Sequence, residues 1–517
     1  MARKGRAGSN PAGAIATGYR AVDGIACATS AVTQVIKQDQ SITRLVVIGA
    51  GVTGLSAAHR LLELAEQRGR AIELTVLEAQ DRPGGVVHTI ARNGFVLEAG
   101  PDNFVTDKPW AVNLCQRLGI DGQLQSTNPD YRRAMVVRRG RLVPVPRGFL
   151  LMAPTRMGSL ALSPLFSWTG KLRMAIEPLI RRRGGNDDES LASFVTRRLG
   201  REALDRLVQP LVGGIYGGDP QTLSLRATMA RFLDMERDHG SVIRAMRKLR
   251  KKSGHEQSAA RYSLFVTFRN GMRTLIDELA KRIGSQRLRL GTPVSSLQYQ
   301  SAADVAWQVR LADGQVVPAD GIILACPTYC AADMVEPLDP SLAQQLRGIT
   351  YTCAAVIHLA YRRDQIAHPL DAFGFVVPYQ ERRSIMACSF SSIKYPGRAP
   401  HGHVLLRAFL GGALQRKVLD GSDNDLVAAA GRDLTELLGI TGEPLFTASH
   451  RWPRAMAQYR VGHVDHIEAI KAKLASHPML DIVGNGFEGV GIPDCIRQGE
   501  HAAEGMMSTV AIGPQRA

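Results

Sequence analysis

The strongest constraint in this chain is a turn made of glycines. An apolar run, Leu45-Val46-Val47-Ile48, leads directly into Gly49-Ala50-Gly51-Val52-Thr53-Gly54. Consecutive apolar residues without alternation read as a strand buried on both faces, the mark of a parallel sheet. Beyond the turn, Leu55, Ala58, Leu61, Leu62 and Ala65 recur at helical spacing to about Gln67. A second run, Ile72 to Leu77, ends at Glu78. The order is strand, turn, helix, strand, with the right-handed crossover such units adopt. Gly49 permits the tight bend, Gly51 keeps side chains away from a pyrophosphate, and Gly54 lets helix pack on strand. The helix start offers free N–H groups and a positive dipole end to phosphates. Glu78, 24 residues past Gly54, carries a carboxylate suited to ribose hydroxyls. The unit predicts a bound dinucleotide, held by Gly49, Ala50, Gly51, Val52, Thr53, Gly54 and Glu78.

The next residues indicate which dinucleotide. Glu78 is followed by Ala79-Gln80-Asp81-Arg82-Pro83-Gly84-Gly85-Val86. A Glu-x-x-x-Arg-x-Gly-Gly run after the second strand resembles the amine-oxidase-like flavoproteins and implies FAD rather than NAD. Arg82 supplies a fixed cation, and Gly84-Gly85 removes side chains where the cofactor must pass. Ala79, Val86 and Val294 are placed with them as cofactor contacts. A second glycine-rich loop, Gly484 to Gly491, follows the apolar run Leu480-Asp481-Ile482-Val483 and precedes a helix over roughly Ile496 to Met507. Pro493 suits the first helical turn. That helix start would face flavin N1/O2, where negative charge accumulates on reduction. Gly484, Asn485, Val490, Gly491 and Ile492 are the contacts expected there.

With 517 residues, the chain exceeds one hydrophobic core, so several structural units are expected. Its net charge of +17 is concentrated. The stretch Asp130–Arg183 carries a net +10 and Arg226–Lys252 a net +6. No nucleic-acid recognition motif accompanies the charge, so nucleic acid is not expected as a partner; an anionic membrane surface or an anionic substrate fits better. Apolar residues interleave with the cations at Phe149, Leu150, Leu151, Met152, Leu160, Leu162, Leu165, Phe166 and Trp168, which suits peripheral membrane attachment. No run of about 18 uncharged apolar residues exists to span a bilayer. The seven cysteines form no C-x-x-C pair, and Cys326 and Cys330 lack the histidines of a metal site; free thiols in a reducing, cytoplasmic setting are expected. Residues 304–325 read as a hairpin, with Val305 to Val309 against Ile322 to Leu324 and Asp313-Gly314 at the turn.

Four segments give a closer resemblance, to the oxygen-dependent protoporphyrinogen/coproporphyrinogen oxidase family of haem biosynthesis. They are Glu98 to Phe104 (EAGPDNF), Gly213 to Pro220 (GGIYGGDP), Phe373 to Pro378 (FGFVVP) and Gly489 to Ile496 (GVGIPDCI). The resemblance covers roughly residues 44–510. It implies an α/β (α+β multidomain) chain in which a Rossmann-like FAD-binding domain is joined by a mixed-sheet substrate domain and a helical, membrane-facing domain. The boundaries expected are a disordered extension at 1–42, FAD-binding segments at 43–125, 261–330 and 475–517, a basic helical domain at 126–260, and a substrate domain at 331–474. The reaction implied is six-electron oxidation of a porphyrinogen, with FAD reduced and molecular oxygen converted to hydrogen peroxide. Handover of the product to the next enzyme of the pathway belongs to the same picture.

The resemblance also carries site residues. Phe390 matches a position that packs on the macrocycle, and Gly214 and Gly217 match positions where backbone lines its pocket. An Arg for the carboxylates precedes a Gly-x-Leu turn in the family. Here Gly140-Arg141-Leu142 is that turn; strict register falls on Ala134, and Arg133 is taken as the cation. No catalytic acid or base is expected. His358, His450 and His463 read as isolated structural or exposed residues, and positioning against the flavin can suffice for hydride transfer. An amine oxidase, a carotenoid desaturase and a non-catalytic porphyrin-binding flavoprotein are the alternatives.

Overall fold

The first unit forms as its pattern dictates. β1 (Thr43–Ile48), α1 (Val52–Gln67) and β2 (Ile72–Leu77) follow one another, with β1 and β2 parallel and Leu45 opposite Leu74. The hairpin β3 (Thr89–Arg92) and β4 (Phe95–Glu98) comes next. Then come β5 (Met135–Arg138), β6 (Arg141–Pro144), α2 (Trp168–Ala175) and α3 (Gln209–Tyr216). β7 (Leu288–Arg289), β8 (Gly321–Leu324), β9 (Tyr351–Arg362), β10 (Gly374–Val376), β11 (Ile385–Phe390) and β12 (His403–Gly411) follow. The last elements are α4 (Asp423–Leu438), β13 (Phe446–Ala457), β14 (Leu480–Ile482) and α5 (Ile492–Ile512). This computed structural model describes residues 42–146, 149–150, 153–154, 157–185, 187–253, 263–300 and 306–512. The extension expected at 1–42 lies, but for Ile42, outside the described residues, as do Leu151 and Met152.

Strands from three distant parts of the chain make one five-stranded sheet, ordered β7-β2-β1-β8-β14 and parallel throughout. α1 and α5 cover one face, and Gly499 makes their crossing tight: a Cβ there would stand 2.3 Å from the Thr53 carbonyl oxygen. Leu55, Leu61, Val76, Ile323, Ile496 and Ala503 share that core. Val46, Leu77, Ile322 and Leu324 face the opposite one.

The hairpin expected over 304–325 closes differently. Trp307–Leu311 pairs with Val316–Ala319, while Gly321–Leu324 is β8 in the parallel sheet. The physical reason is burial: β8 is buried at every residue, whereas Val316 to Ala319 alternates exposed and buried, as a strand with one wet face must.

The second sheet has seven strands in the order β13-β9-β12-β11-β10-β5-β6. Only β5 and β10 run parallel among its pairs, with Phe375 opposite Met135. β5 and β6 lie within the stretch expected to be a helical domain, so part of 126–260 builds this sheet instead. α4 packs across one face, burying Leu426, Ala430 and Leu434 against Ile357, Leu406 and Ala408. Its start is fixed by a capping box between Ser422 and Asp425. The remaining helices around α2 and α3 form their own core on Phe194, Leu207, Val212 and Phe232. Among the described residues no helix is long and apolar enough to cross a membrane.

Candidate flavin site

The site begins where β1 meets α1. Gly49 has φ +103°, a left-handed value that disfavours any Cβ, and a Cβ would also stand 2.6 Å from the Ala325 carbonyl oxygen. Gly51 is the N-cap of α1, and no side chain caps the first amides. A Cβ on Gly51 meets nothing within 4 Å. The Gly84 amide donates to the Ala50 carbonyl at 2.7 Å, and Gly51 and Gly84 form a parallel bridge. The two glycine turns therefore lie side by side. Glu78 is buried; one carboxylate oxygen accepts from the Ala50 amide at 2.7 Å and the other from the Gln80 amide at 2.9 Å. A carboxylate has lone pairs left for ribose hydroxyls after two such bonds. Val294 stands at the same end, because the Thr292 amide donates to the Glu78 carbonyl at 2.8 Å. Ala79 is exposed beside it. Arg82 folds back onto its own turn, donating to the Gly85 carbonyl at 2.8 Å and the Pro83 carbonyl at 3.3 Å. Val86 is left 40% exposed directly after this turn.

The second loop meets the first through the helix starts. Cys495, in the first turn of α5, is hydrogen-bonded to the Thr53 side chain, so Thr53 and Val52 are buried between the helices. Asp494 sits over Gly489 and Gly491 and holds Lys108 at 2.6 Å. Gly484 donates its amide towards Gln498 at 3.4 Å, and Ile492 is buried at the base of the loop. The loop is fastened from outside by residues that no motif announces. The Tyr459 hydroxyl donates to the Asn485 carbonyl and accepts from the Gly489 amide, both at 2.8 Å. Tyr459 stacks on His463 at 4.0 Å and 12°, and His463 bonds the Phe487 carbonyl at 2.9 Å. The Asn485 amide group donates to the Ala455 carbonyl at 3.0 Å, and Val490 packs against the same core.

The description "Flavin containing amine oxidoreductase" matches residues 52–507. Coproporphyrinogen III oxidase of Bacillus subtilis (strain 168) is 35% identical over 460 residues, 89% of this chain and 96% of that protein. The chloroplastic protoporphyrinogen oxidase of Oryza sativa subsp. japonica is 30% identical, over 87% of this chain and 85% of its own. A crystal structure from Exiguobacterium sp. 255-15, named for protoporphyrinogen oxidase, has a TM-score of 0.80 at 29% identity and covers 91% of this chain and 100% of that one. The chain belongs to the flavin-containing amine oxidoreductase family. The resemblance drawn from the motif segments is thereby borne out.

FAD is the cofactor, and the residues present fit it. The open space over Gly51 and the uncapped amides of α1 suit a diphosphate. Glu78 and Gly84 bond the Ala50 main chain, and Thr53 touches Cys495 of α5, so the groups expected to meet the cofactor are neighbours.

The residues expected around a substrate divide into two groups. Gly214 and Gly217 lie at the C-terminal end of α3, against the second sheet. The Gly217 carbonyl accepts from the Ala413 amide at 2.7 Å, and a Cβ on Gly214 would meet Val376 at 3.9 Å. Gln458, next to Tyr459, donates to the Tyr216 carbonyl at 2.8 Å, so this end of α3 adjoins the flavin loop. Phe390 is not there. It is fully buried on the α4 side of the sheet, with Phe375 and His368 rings 6.0 and 6.2 Å away. A register irregularity between Ile385 and Ala387 breaks the strand's alternation, so Ile385, Cys388 and Phe390 all turn to the α4 core while Met386 lies on the other face, 3.3 Å from where a Gly412 Cβ would be. Arg133 is also elsewhere. It is exposed and paired with Asp371 at 3.1 Å, on the side of Met135 and Val137, which pack under α4. The in-register Ala134 takes the other face.

The inner face of the second sheet carries a buried polar wall. Glu98 accepts from Thr89 at 2.7 Å and from the Met272 amide at 2.9 Å. Burial pushes its carboxyl up, with Arg398 opposing. Asp102 holds Lys394 at 3.0 Å and Arg407 at 3.5 Å. Burial alone would raise its carboxyl, but Lys394 and Arg407 overrule it and hold it at about 2. Trp452 donates to the Ala99 carbonyl at 2.6 Å and pins this wall to the Gly100 turn. His358 and His450, read as isolated in sequence, are in ring contact at 5.7 Å.

Proposed function

We propose that this chain is an oxygen-dependent porphyrinogen oxidase of haem biosynthesis, taking coproporphyrinogen III or protoporphyrinogen IX to the porphyrin with release of hydrogen peroxide. The observation that carries the reading is full-length similarity to Bacillus coproporphyrinogen III oxidase, at 35% identity across 96% of that protein. FAD, when bound, accepts a hydride from the substrate and passes the electrons to oxygen. The protein supplies position. The α1 start and Gly51 hold the diphosphate, Glu78 the ribose, and Gly84, Gly85 and Arg82 the turn between them. The α5 start would offer its free amides to the bound flavin. Ala50, Ala79, Val86, Val294, Gly484, Asn485, Val490, Gly491 and Ile492 complete the contacts. Main chain at Gly214 and Gly217 edges the substrate space, where the missing side chains leave room for a wide macrocycle. Coproporphyrinogen, the more anionic of the two, agrees better with the basic charge. Anaerobic mixing of the holoprotein with each porphyrinogen tests this: flavin bleaching, then porphyrin fluorescence and peroxide on admitting air, is the expected result. A flavin that stays oxidised with both substrates refutes it.

The same reading places the protein in the cytoplasm, with one face docked on an anionic membrane surface, where the product could pass to the next enzyme. What supports docking is exposure: Leu162, Trp168, Leu172 and Leu179 are 88, 76, 66 and 80% exposed. Lys171 lies 4.2 Å from the Trp168 ring centre, and Arg181 and Arg182 are exposed next to them. Leu160, Leu165 and Phe166, counted with this patch in the sequence, turn into the helical core instead. Pelleting with anionic vesicles that is lost in a Trp168→Asp, Leu172→Asp variant is expected; unaltered pelleting of that variant overturns the assignment.

A further inference from the structure

Three histidines from three separate segments stand in a row. Val87 and Thr89 point into protein core, so His88 between them points the other way, three residues past the Gly84-Gly85 turn. Its ring lies 6.5 Å from that of His450 on β13, and His450 lies 5.7 Å from His358 on β9, all edge to face. The row starts half-buried beside Val86 and ends fully buried beside Arg407 and Asp102. The buried Nε2 of His450 has no hydrogen-bond partner among the described residues, nor has either His358 nitrogen at good geometry, although the Glu98 carbonyl lies close by. Buried polar nitrogens are rarely left so. Edge-to-face spacings of this size put each ring against the next.

We infer that His88, with His450 and His358 behind it, accepts the proton that leaves the substrate in each two-electron step and returns it to reduced oxygen. This rests on the porphyrinogen reading. Over the three steps the macrocycle loses four meso C–H and two N–H hydrogens, three of the six as hydride and three as protons. In each step the hydride, with its electron pair, goes to the flavin and one proton goes to His88, from N–H in two of the steps and from a meso carbon in the third. Oxygen then takes up both electrons, the hydrogen delivered as hydride and the proton from His88, giving hydrogen peroxide with no net gain or loss of protons. His450 and His358 act through His88, as positioning residues that hold its ring.

The surroundings keep the row ready to accept. Burial lowers the His88 imidazole, with Arg82, His450 and Arg273 adding to it. Burial and Arg407 lower His450 against Asp423. Burial, Arg407 and His450 push His358 well down, opposed by the Glu98 carbonyl and Asp102. Neutral imidazole is therefore the resting form, and the rate should fall only below the depressed His88 value.

The test uses full-length holoprotein with His88→Gln, His88→Ala and His450→Gln substitutions, each checked for FAD content by visible absorbance. In anaerobic mixing, His88→Gln is expected to slow bleaching about a hundredfold, the lower end of general-base effects. It should also abolish the acidic limb of the pH profile, and added imidazole should speed His88→Ala. Without turnover, histidine carbon NMR should show His88 titrating below free imidazole and moving in His450→Gln. Wild-type bleaching rates and an unchanged acidic limb in both glutamine variants overturn the inference while leaving the porphyrinogen reading intact. A wild-type protein inert to both porphyrinogens overturns both.

Discussion

Gly51 separates cofactor binding from folding more cleanly than any other residue of the site. Its backbone, φ −69° and ψ 176°, is one that any L-residue adopts, and an added Cβ touches nothing within 4 Å. Gly51→Ala should therefore leave the apoprotein's stability within about 0.5 kcal/mol. A small gain is equally consistent, since removing glycine stiffens the unfolded chain by about 0.4–1 kcal/mol. The methyl group would nevertheless stand over the uncapped amides of α1. Pushing one phosphate oxygen off one amide forfeits a charge-assisted hydrogen bond of about 1.5–3 kcal/mol. At about 1.4 kcal/mol per tenfold, FAD affinity should fall roughly tenfold to a hundredfold. Calorimetric titration of apoprotein with FAD, beside thermal melts with and without FAD, reads both quantities; the loss should appear only in the FAD-dependent rise in Tm. Gly54→Ala is the contrasting control, because its Cβ would lie 1.8 Å from the Gly49 carbonyl oxygen and must damage the fold itself. A Gly51→Ala protein that binds FAD with wild-type affinity would refute the placement of the diphosphate, and one whose apoprotein is strongly destabilised would refute the open space.

Tyr459→Phe leaves the Asn485 carbonyl and the Gly489 amide without their shared hydroxyl. A loss of about 1–3 kcal/mol and faster FAD release, followed by flavin fluorescence, are expected. Arg198 and Glu177 are both fully buried, and Glu177 also accepts from the Ser241 hydroxyl and the Val242 amide. Arg198→Ala strands that carboxylate, and urea unfolding should show a loss of about 3–5 kcal/mol. Asp102 has a folded value of about 2 against an ordinary 3.8. A depressed carboxylate contributes stability above its unfolded value and loses it as pH falls through the folded one. Melts should therefore drop between pH 3.8 and about 2 in the wild type, by about 2 kcal/mol, and the drop should be smaller in Asp102→Asn.

What could be read before the structure was local or carried by composition. β1, the glycine turn, α1 and Glu78 lie in one continuous segment, so spacing alone places every group; the same holds for Gly484 to Ile492. The loop's fasteners, Tyr459 and His463, and the row His88, His450, His358 come from segments that only the two sheets bring together. A lone aromatic or histidine carries no periodic signal, so neither set was legible. Strand facing was the other blind spot, because a slip of one residue turns a side chain from one face to the other.

That slip accounts for Arg133 and Phe390 alike, and it makes a prediction opposite to the motif's. Arg133 is half-exposed, with 49% of its side chain in solvent, and paired with Asp371 on the α4 side. Arg133→Ala should change stability by no more than about 1 kcal/mol, as exposed pairs do, and leave the KM for either porphyrinogen unchanged. Phe390 fills the core between β11 and α4 with no exposed surface. Phe390→Ala should cost about 3–5 kcal/mol of stability, again without moving KM in whatever protein remains folded. Steady-state kinetics beside urea unfolding distinguishes the cases. A tenfold rise in KM, about 1.4 kcal/mol of lost binding, with stability intact in Arg133→Ala, would mean that the cation reaches the substrate after all. The β5 register, and with it the placement of Ala134 on the inner face, would then be wrong.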